Sequence, residues 1–170
     1  MKLLVLGGGL MGRAAAYDLV RQPDVERVLI ADVDESRAVE AARFTGSDRA
    51  DAVRLDARDG AAVASALSGV KAALGAASYR LNLGIAGAAI AAGVHWCDMG
   101  GNNDVVESQL ALDADAKRAG VSVVPDTGLA PGMVSLLAMH GVRAMDVAKS
   151  VHMRVGGLPQ RPKPPLNYAL

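Results

Sequence analysis

Met1-Lys2-Leu3-Leu4-Val5-Leu6-Gly7-Gly8-Gly9-Leu10-Met11-Gly12-Arg13-Ala14-Ala15-Ala16 opens the chain and decides how everything after it is read. Met1 to Leu6 reads as a short strand whose apolar run, Leu3 to Leu6, stops at glycine, the pattern of a strand buried on both faces. Ala14 to Arg21 predicts a helix. Between them, Gly7, Gly9 and Gly12 stand at the spacing G-x-G-x-x-G, in the order strand, glycine turn, helix. Each glycine has a separate reason. Gly7 permits the tight turn off the strand, Gly9 lets a pyrophosphate approach the backbone, and Gly12 lets the helix pack closely. The amides at the helix start, including those of Leu10 and Met11, then face the phosphates with the positive end of the helix dipole. The stretch predicts a dinucleotide site.

Working outward, Arg27 to Ala31 predicts a second buried strand, and Asp32 closes it 20 residues after Gly12. An acidic side chain there can accept hydrogen bonds from the adenosine ribose hydroxyls, which favours NAD. A 2′-phosphate would meet the same negative charge, so NADP is disfavoured, although an arginine such as Arg37 can receive that phosphate. Asp34 fits the N-cap of the following helix better than Asp32 does, which leaves Asp32 free for ribose. Strands are also predicted at 52–55 (closed by Asp56, a further adenosine-side candidate), 70–77, 94–98 and 121–125. Helices are predicted at 61–67 and 83–92, and a single helix from about 103 to 119, stopped by Gly120. Six strands alternating with helices imply a doubly wound parallel sheet of Rossmann type. The domain is expected to span 1–125.

The pattern changes at Asp126-Thr127-Gly128-Leu129-Ala130-Pro131-Gly132. A helix at 133–139, a turn at His140-Gly141 and a strand at 150–155 are expected after it. Four of the seven prolines then fall between Pro159 and Pro165, which reads as an extended connector. Residues 126–170 are expected to begin a second α/β domain.

Composition narrows the function classes. Eighteen basic and eighteen acidic side chains give no net charge, hence no electrostatic reason to propose nucleic acid or an anionic membrane. No apolar run approaches the ~20 residues of a membrane span. Met1-Lys2 leads straight into the first strand, so no signal peptide is expected. Cys97 is the only cysteine, which rules out an internal disulfide and makes a reducing cytoplasm the default. His140 and His152 lack spaced partners, and no metal cluster is expected.

Beyond the glycine turn, the chain resembles the N-terminal part of the lysine 6-dehydrogenases, within the saccharopine dehydrogenase-like oxidoreductases. The likeness lies in Ala31-Asp32-Val33-Asp34, Gly93-Val94-His95, Asp98-Met99-Gly100-Gly101 and Pro125-Asp126-Thr127-Gly128-Leu129-Ala130-Pro131-Gly132-Met133. Val155-Gly156-Gly157-Leu158-Pro159 and Arg161-Pro162-Lys163-Pro164-Pro165-Leu166 extend it. The resemblance implies an NAD(P)-dependent oxidoreductase acting on a carbon–nitrogen bond of an amino acid. In the lysine 6-dehydrogenase branch NAD takes hydride from the lysine ε-carbon, and the imine hydrolyses to a semialdehyde that cyclises. Ala130 stands where saccharopine-forming members carry an Asp, which favours that branch over saccharopine or carboxynorspermidine dehydrogenase. Gly75 stands where Asn is more usual. Members continue into a substrate and dimerisation domain, so the resemblance implies a homo-oligomer or a complementing C-terminal polypeptide. A non-catalytic NAD-binding module or gene fragment is the alternative from a different class.

Three side chains are the catalytic candidates. Tyr79 follows the fourth strand at the switch point, where it can line the nicotinamide pocket or simply pack loop against sheet. Asp98 and Asp126 end the fifth and sixth strands; Asp98 is expected to face the substrate side, and Asp126 to contact substrate or to hold the turn that joins the domains. Cys97 and His95 lie within a buried strand and read as structural.

Overall fold

The computed structural model describes residues 1–156. It divides into two compact units, Met1–Gly128 and a second that begins at Leu129. The expected connector at 159–165 lies outside the described residues.

In the first unit six strands form one parallel sheet: β1 Lys2–Leu6, β2 Arg27–Asp32, β3 Ala50–Arg54, β4 Ala72–Gly75, β5 His95–Asp98 and β6 Val123–Val124. Their order across the sheet is β3-β2-β1-β4-β5-β6, so the order reverses between β1 and β4 as a Rossmann-like α/β fold requires. Helices α1 Leu10–Leu19, α2 Glu35–Thr45, α3 Gly60–Leu67, α4 Asn82–Ala91, α5 Asn103–Leu110 and α6 Asp113–Ala119 connect them. Alternation along β1 divides its side chains between two cores. Leu3 and Val5 join Val28 and Ile30 against Ala16, Val20 and Ala41, and Leu4 and Leu6 join Ala73 and Trp96 against Val63, Leu67, Ile85 and Ala89. Each fully buried Val, Leu or Ile contributes roughly 1.5–3 kcal/mol, so this five-residue strand holds both layers.

Local chemistry sets the helix starts. The Asp34 carboxylate accepts from the Ser36 amide at the head of α2, as expected. Asp59, not singled out in the sequence, does the same for α3 through the amides of Ala61 and Ala62. Asn102 caps α5 through Val105 N–H, and Gly120, at φ 68°, stops α6.

Several expected boundaries move. Helix α1 starts at Leu10 rather than Ala14, so the last glycine of the turn lies inside its first turn. Strand β4 is four residues long instead of eight. It is registered from Leu3↔Ala72 to Leu6↔Gly75, and β1 leaves the sheet at Gly7, removing its partner. The expected single helix from 103 to 119 is two, α5 and α6; at the break, Leu112 tucks against the core. Strand β6 has two residues.

The domain boundary also moves, from 125 to 128. Thr127 donates both its amide (2.7 Å) and its hydroxyl (2.8 Å) to the Asp98 carbonyl, which ties residues 126–128 to the first unit. In the second unit, α7 Met133–Arg143 runs through the expected turn at His140-Gly141; a helical glycine costs only about 1 kcal/mol. The strand expected at 150–155 is absent among the described residues, where that segment has no regular structure and no strand beside it.

Candidate functional site

The opening turn sits at the carboxyl ends of β1 and β4, and its glycines are fixed by contact. Gly7 has φ 109° and its amide bonds the Ala31 carbonyl at 2.7 Å; a Cβ there would lie 2.6 Å from the Ala76 oxygen. At Gly12 a Cβ would lie 1.7 Å from the Gly7 oxygen, so α1 can approach the turn only without a side chain at this position. Gly9 differs. A Cβ there would meet nothing within 4 Å; its surface faces open space, the approach a pyrophosphate needs. Gly8, which the motif leaves unspecified, is constrained as well, by the Arg37 carbonyl 2.9 Å from its would-be Cβ.

Helix α1 has no side-chain cap, so the first-turn amides of Leu10, Met11 and Gly12 have no intrahelical acceptor. The Leu10 and Met11 side chains are exposed, so their contribution here is their backbone.

A cleft of about 470 Å³ lies beside the turn, lined among others by Gly7, Gly9, Asp32, Asp56 and Ser78. Asp32 is partly exposed at the end of β2, with Oδ2 accepting the Gly8 amide at 2.7 Å and Oδ1 the Asp34 amide at 2.9 Å. One carboxylate thus joins the glycine turn to the β2–α2 turn and keeps lone pairs toward the cleft. Asp56 lines the same cleft, and Arg58 Nε and Nη2 grip its two oxygens at 2.6–3.1 Å. That grip, with the Arg58 amide, holds the Asp56 carboxyl down at about 2. Arg37 also lines the cleft and pairs with Asp34 at 3.7 Å. Arg58 and Ala57 line it too; only their place directly after Asp56 could have suggested them from sequence.

The catalytic candidates lie outside that cleft's lining, over the ends of β4, β5 and β6. Tyr79 is half-buried in a 3₁₀ turn, Tyr79–Leu81, ahead of α4. Gly101, at φ 126°, passes so close to its ring that a Cβ would lie 3.2 Å from Tyr79 Cδ1. Gly100, at φ 68°, passes closer still to Asp126, since a Cβ there would lie 1.6 Å from Asp126 Oδ1. The Gly100-Gly101 pair therefore brings Tyr79 and Asp126 together on its two sides. Asp126 is half-buried, and its own φ of 60° is positive, unlike any other non-glycine described.

Asp98 departs from expectation. Its relative exposure is 0%, so it does not face substrate. Oδ2 accepts Trp96 Nε1–H at 2.9 Å and Gln109 Nε2–H at 2.6 Å, while Oδ1 accepts the amides of Gly100 at 2.8 Å and Asp126 at 3.3 Å. The physical reason is parity: Asp98 shares the face of β5 on which Trp96 is buried. Gly75 completes this cluster, because the Trp96 ring lies 2.7 Å from where a Cβ would sit, which leaves no room for a side chain. The Cys97 thiol is pushed up by burial and by the neighbouring Asp98 charge, which keeps it protonated and poorly nucleophilic. Among the described residues no group of His, Cys, Asp and Glu could hold a metal ion.

The fold is shared with solved oxidoreductases. Apo saccharopine dehydrogenase (L-Glu forming) from Saccharomyces cerevisiae matches with a TM-score of 0.70 at 22% identity, over 84% of this chain and 31% of that one. GenD2 from gentamicin A biosynthesis, solved with NAD, matches at 0.60 and 21% over 84% and 38%. An NAD binding oxidoreductase from Klebsiella pneumoniae matches at 0.59 and 24% over 88% and 40%. The chain spans 31–40% of the length of these structures. In sequence, the saccharopine dehydrogenase NADP binding domain matches residues 3–124, from β1 through β6. The chain belongs to that family, and its first unit is a pyridine-nucleotide-binding domain of saccharopine dehydrogenase-like oxidoreductases.

Proposed function

We propose that the chain is the NAD-binding part of an oxidoreductase acting on the CH–NH group of an amino acid, of the lysine 6-dehydrogenase kind. The observation that carries the cofactor choice is Asp32, which lines the cleft with each oxygen held by one backbone amide. Two ribose hydroxyls suit the remaining lone pairs, whereas a 2′-phosphate would be repelled. Gly7, Gly9 and the amides of Leu10, Met11 and Gly12 would hold the pyrophosphate, and Asp56 the adenosine side.

Bound there, the nicotinamide ring supplies the hydride acceptor. The chain's own residues do the rest. Over the ends of β4–β6, on the far side of the switch point from Asp32, Tyr79 and Asp126 flank the Gly100-Gly101 pair and would meet the nicotinamide half. Asp126 is placed to bind the substrate amine or accept its proton, and Tyr79 to line the ring or bond substrate. Ala130 in the Pro-Gly turn favours the lysine 6-dehydrogenase branch over saccharopine-forming relatives. A second copy or a complementing polypeptide as partner, and a cytoplasmic setting, are part of the same proposal.

Titrating NAD and NADP against thermal unfolding tests the reading, followed by NADH production from lysine with and without a polypeptide encoded next to the gene. Stabilisation by NAD over NADP is expected. Stabilisation by NADP alone, or by neither, overturns the cofactor assignment, and NADH from another amino acid but not lysine overturns the branch.

A further inference from the structure

We infer that Asp98 is a positioning residue: a fully buried carboxylate that sets the Gly100-Gly101 turn and the Asp126 backbone, and through them the nicotinamide side of the proposed site. The inference rests on that site being where the second half of the dinucleotide lies.

All four partners of the carboxylate are N–H donors, two from side chains and two from the main chain. The two kinds point in different directions. Trp96 and Gln109, both about 1% exposed, anchor Oδ2 to the core; Gly100 and Asp126 hang from Oδ1 at the carboxyl edge of the sheet. No cation pairs with Asp98 among the described ion pairs. A buried carboxylate without a counter-ion is costly unless its hydrogen bonds are complete. Its four hydrogen bonds meet that condition, and two of them reach the main chain at the edge of the sheet.

The two main-chain bonds bear on the site. Gly100 lies against Asp126, and Gly101 lies against Tyr79. Fixing the Gly100 amide therefore fixes the surface on which both candidate side chains rest. Asp126 sits at φ 60°, a left-handed conformation that L-residues rarely adopt, and the bond from its amide to Asp98 helps hold it there. Gln109 shows how far the arrangement is biased toward Asp98. Its Nε2 is spent on the carboxylate, and its Oε1 is the sole buried side-chain polar atom without a partner among the described residues.

Asp98→Ala in the full chain, read by amide hydrogen exchange, tests the hold directly. The Gly100 and Asp126 amides should exchange faster, by about tenfold or more for a lost charge-assisted bond. Thr127 is the internal control, because its amide bonds the residue 98 carbonyl and not the side chain; it should change little, as should Gly7 and Gly8. Unchanged Gly100 and Asp126 exchange overturns the proposal, and so does a uniform rise across the domain, which a merely structural role would give. If the alanine chain does not fold, Asp98→Leu, which keeps most of the volume and removes both acceptor oxygens, carries the same comparison with the same two outcomes.

Nucleotide binding supplies the functional readout. NAD affinity should fall in the variant by about tenfold, while ADP-ribose, which lacks nicotinamide, binds as before; equal losses for both overturn the positioning role. A wild-type chain binding neither nucleotide would sink the cofactor reading instead, and the exchange data on the free chain would still decide what Asp98 holds.

Discussion

Replacing Asp32 with alanine separates the two nucleotides. The carboxylate has about four lone-pair sites. The Gly8 and Asp34 amides occupy one on each oxygen, at 2.7 and 2.9 Å, which leaves about one per oxygen for a ribose hydroxyl. Hydrogen bonds to a charged group contribute about 1.5–3 kcal/mol each. Taking the lower end, because Asp32 is partly exposed, two such bonds give about 3 kcal/mol, or on the order of a hundredfold in NAD affinity. For NADP the sign reverses. At about 5 Å and an effective dielectric near 20, each unit of 2′-phosphate charge is opposed by about 3 kcal/mol before screening by salt. Asp32→Ala should therefore weaken NAD on the order of a hundredfold while NADP binding holds or strengthens, with Arg37 at the same cleft to meet the phosphate. Isothermal titration of both nucleotides on wild type and variant measures the ratio. A parallel loss of both would assign Asp32 to holding the two amides alone, and an unchanged NAD affinity would place the ribose contact elsewhere.

Gly12→Ala sets two effects against each other. Helix propensity favours alanine by about 1 kcal/mol, but the new Cβ would lie 1.7 Å from the Gly7 oxygen, and overpacking against backbone costs about 3 kcal/mol at the upper end of the usual range. The clash should win, lowering the melting temperature by several degrees; a rise would refute the close-approach reading. The Asp56–Arg58 pair gives a pH signature. The folded carboxyl, held at about 2 against an ordinary 3.8, contributes stability that is present above the ordinary value and lost as pH falls through the folded one. In a carboxyl-detected NMR titration the Asp56 midpoint should move up toward 3.8 in Arg58→Ala, and identical midpoints would remove Arg58 as the cause.

Much of the nucleotide half is legible in the sequence because each signal is local. Gly7 and Gly12 answer contacts made within one turn and its flanking elements, Gly9 leaves the same turn open on its outer side, and Asp32 follows at a spacing fixed by one helix. The strands read clearly where apolar runs are dense, as in Leu3–Leu6 and Val28–Ala31. Boundaries fail where a partner decides them. Strand β4 is cut short by the departure of β1 at Gly7, which its own alanines do not announce. The continuous helix expected after Asn103 breaks so that Leu112 can reach the core, a tertiary demand with no marker between Leu110 and Asp113. Residues 150–155 carry strand-like composition without a strand to pair with, and β-propensity is a preference for a surface to pair on.

The catalytic half is harder to read for a related reason: what a carboxylate does depends on groups brought to it from elsewhere in the chain. Asp32 and Asp98 both end buried strands beside glycine-rich turns, and in sequence they look alike. Their surroundings differ through one neighbour each. Asp32 follows Ala31, and its face opens on a cleft bounded by glycines. Asp98 stands two residues after Trp96, whose ring occupies the space that Gly75 leaves and delivers an indole N–H to the carboxylate. Gln109, eleven residues on, closes the remaining side. The pairing of Gly75 with Trp96 was therefore the available clue. A glycine in the middle of a buried sheet marks a place where something large comes close, and the single tryptophan of the chain on the adjacent strand is the candidate to fill it. Once the ring is placed there, Asp98 cannot face the cleft, and Asp126 is the half-buried carboxylate that remains at the carboxyl edge of the sheet.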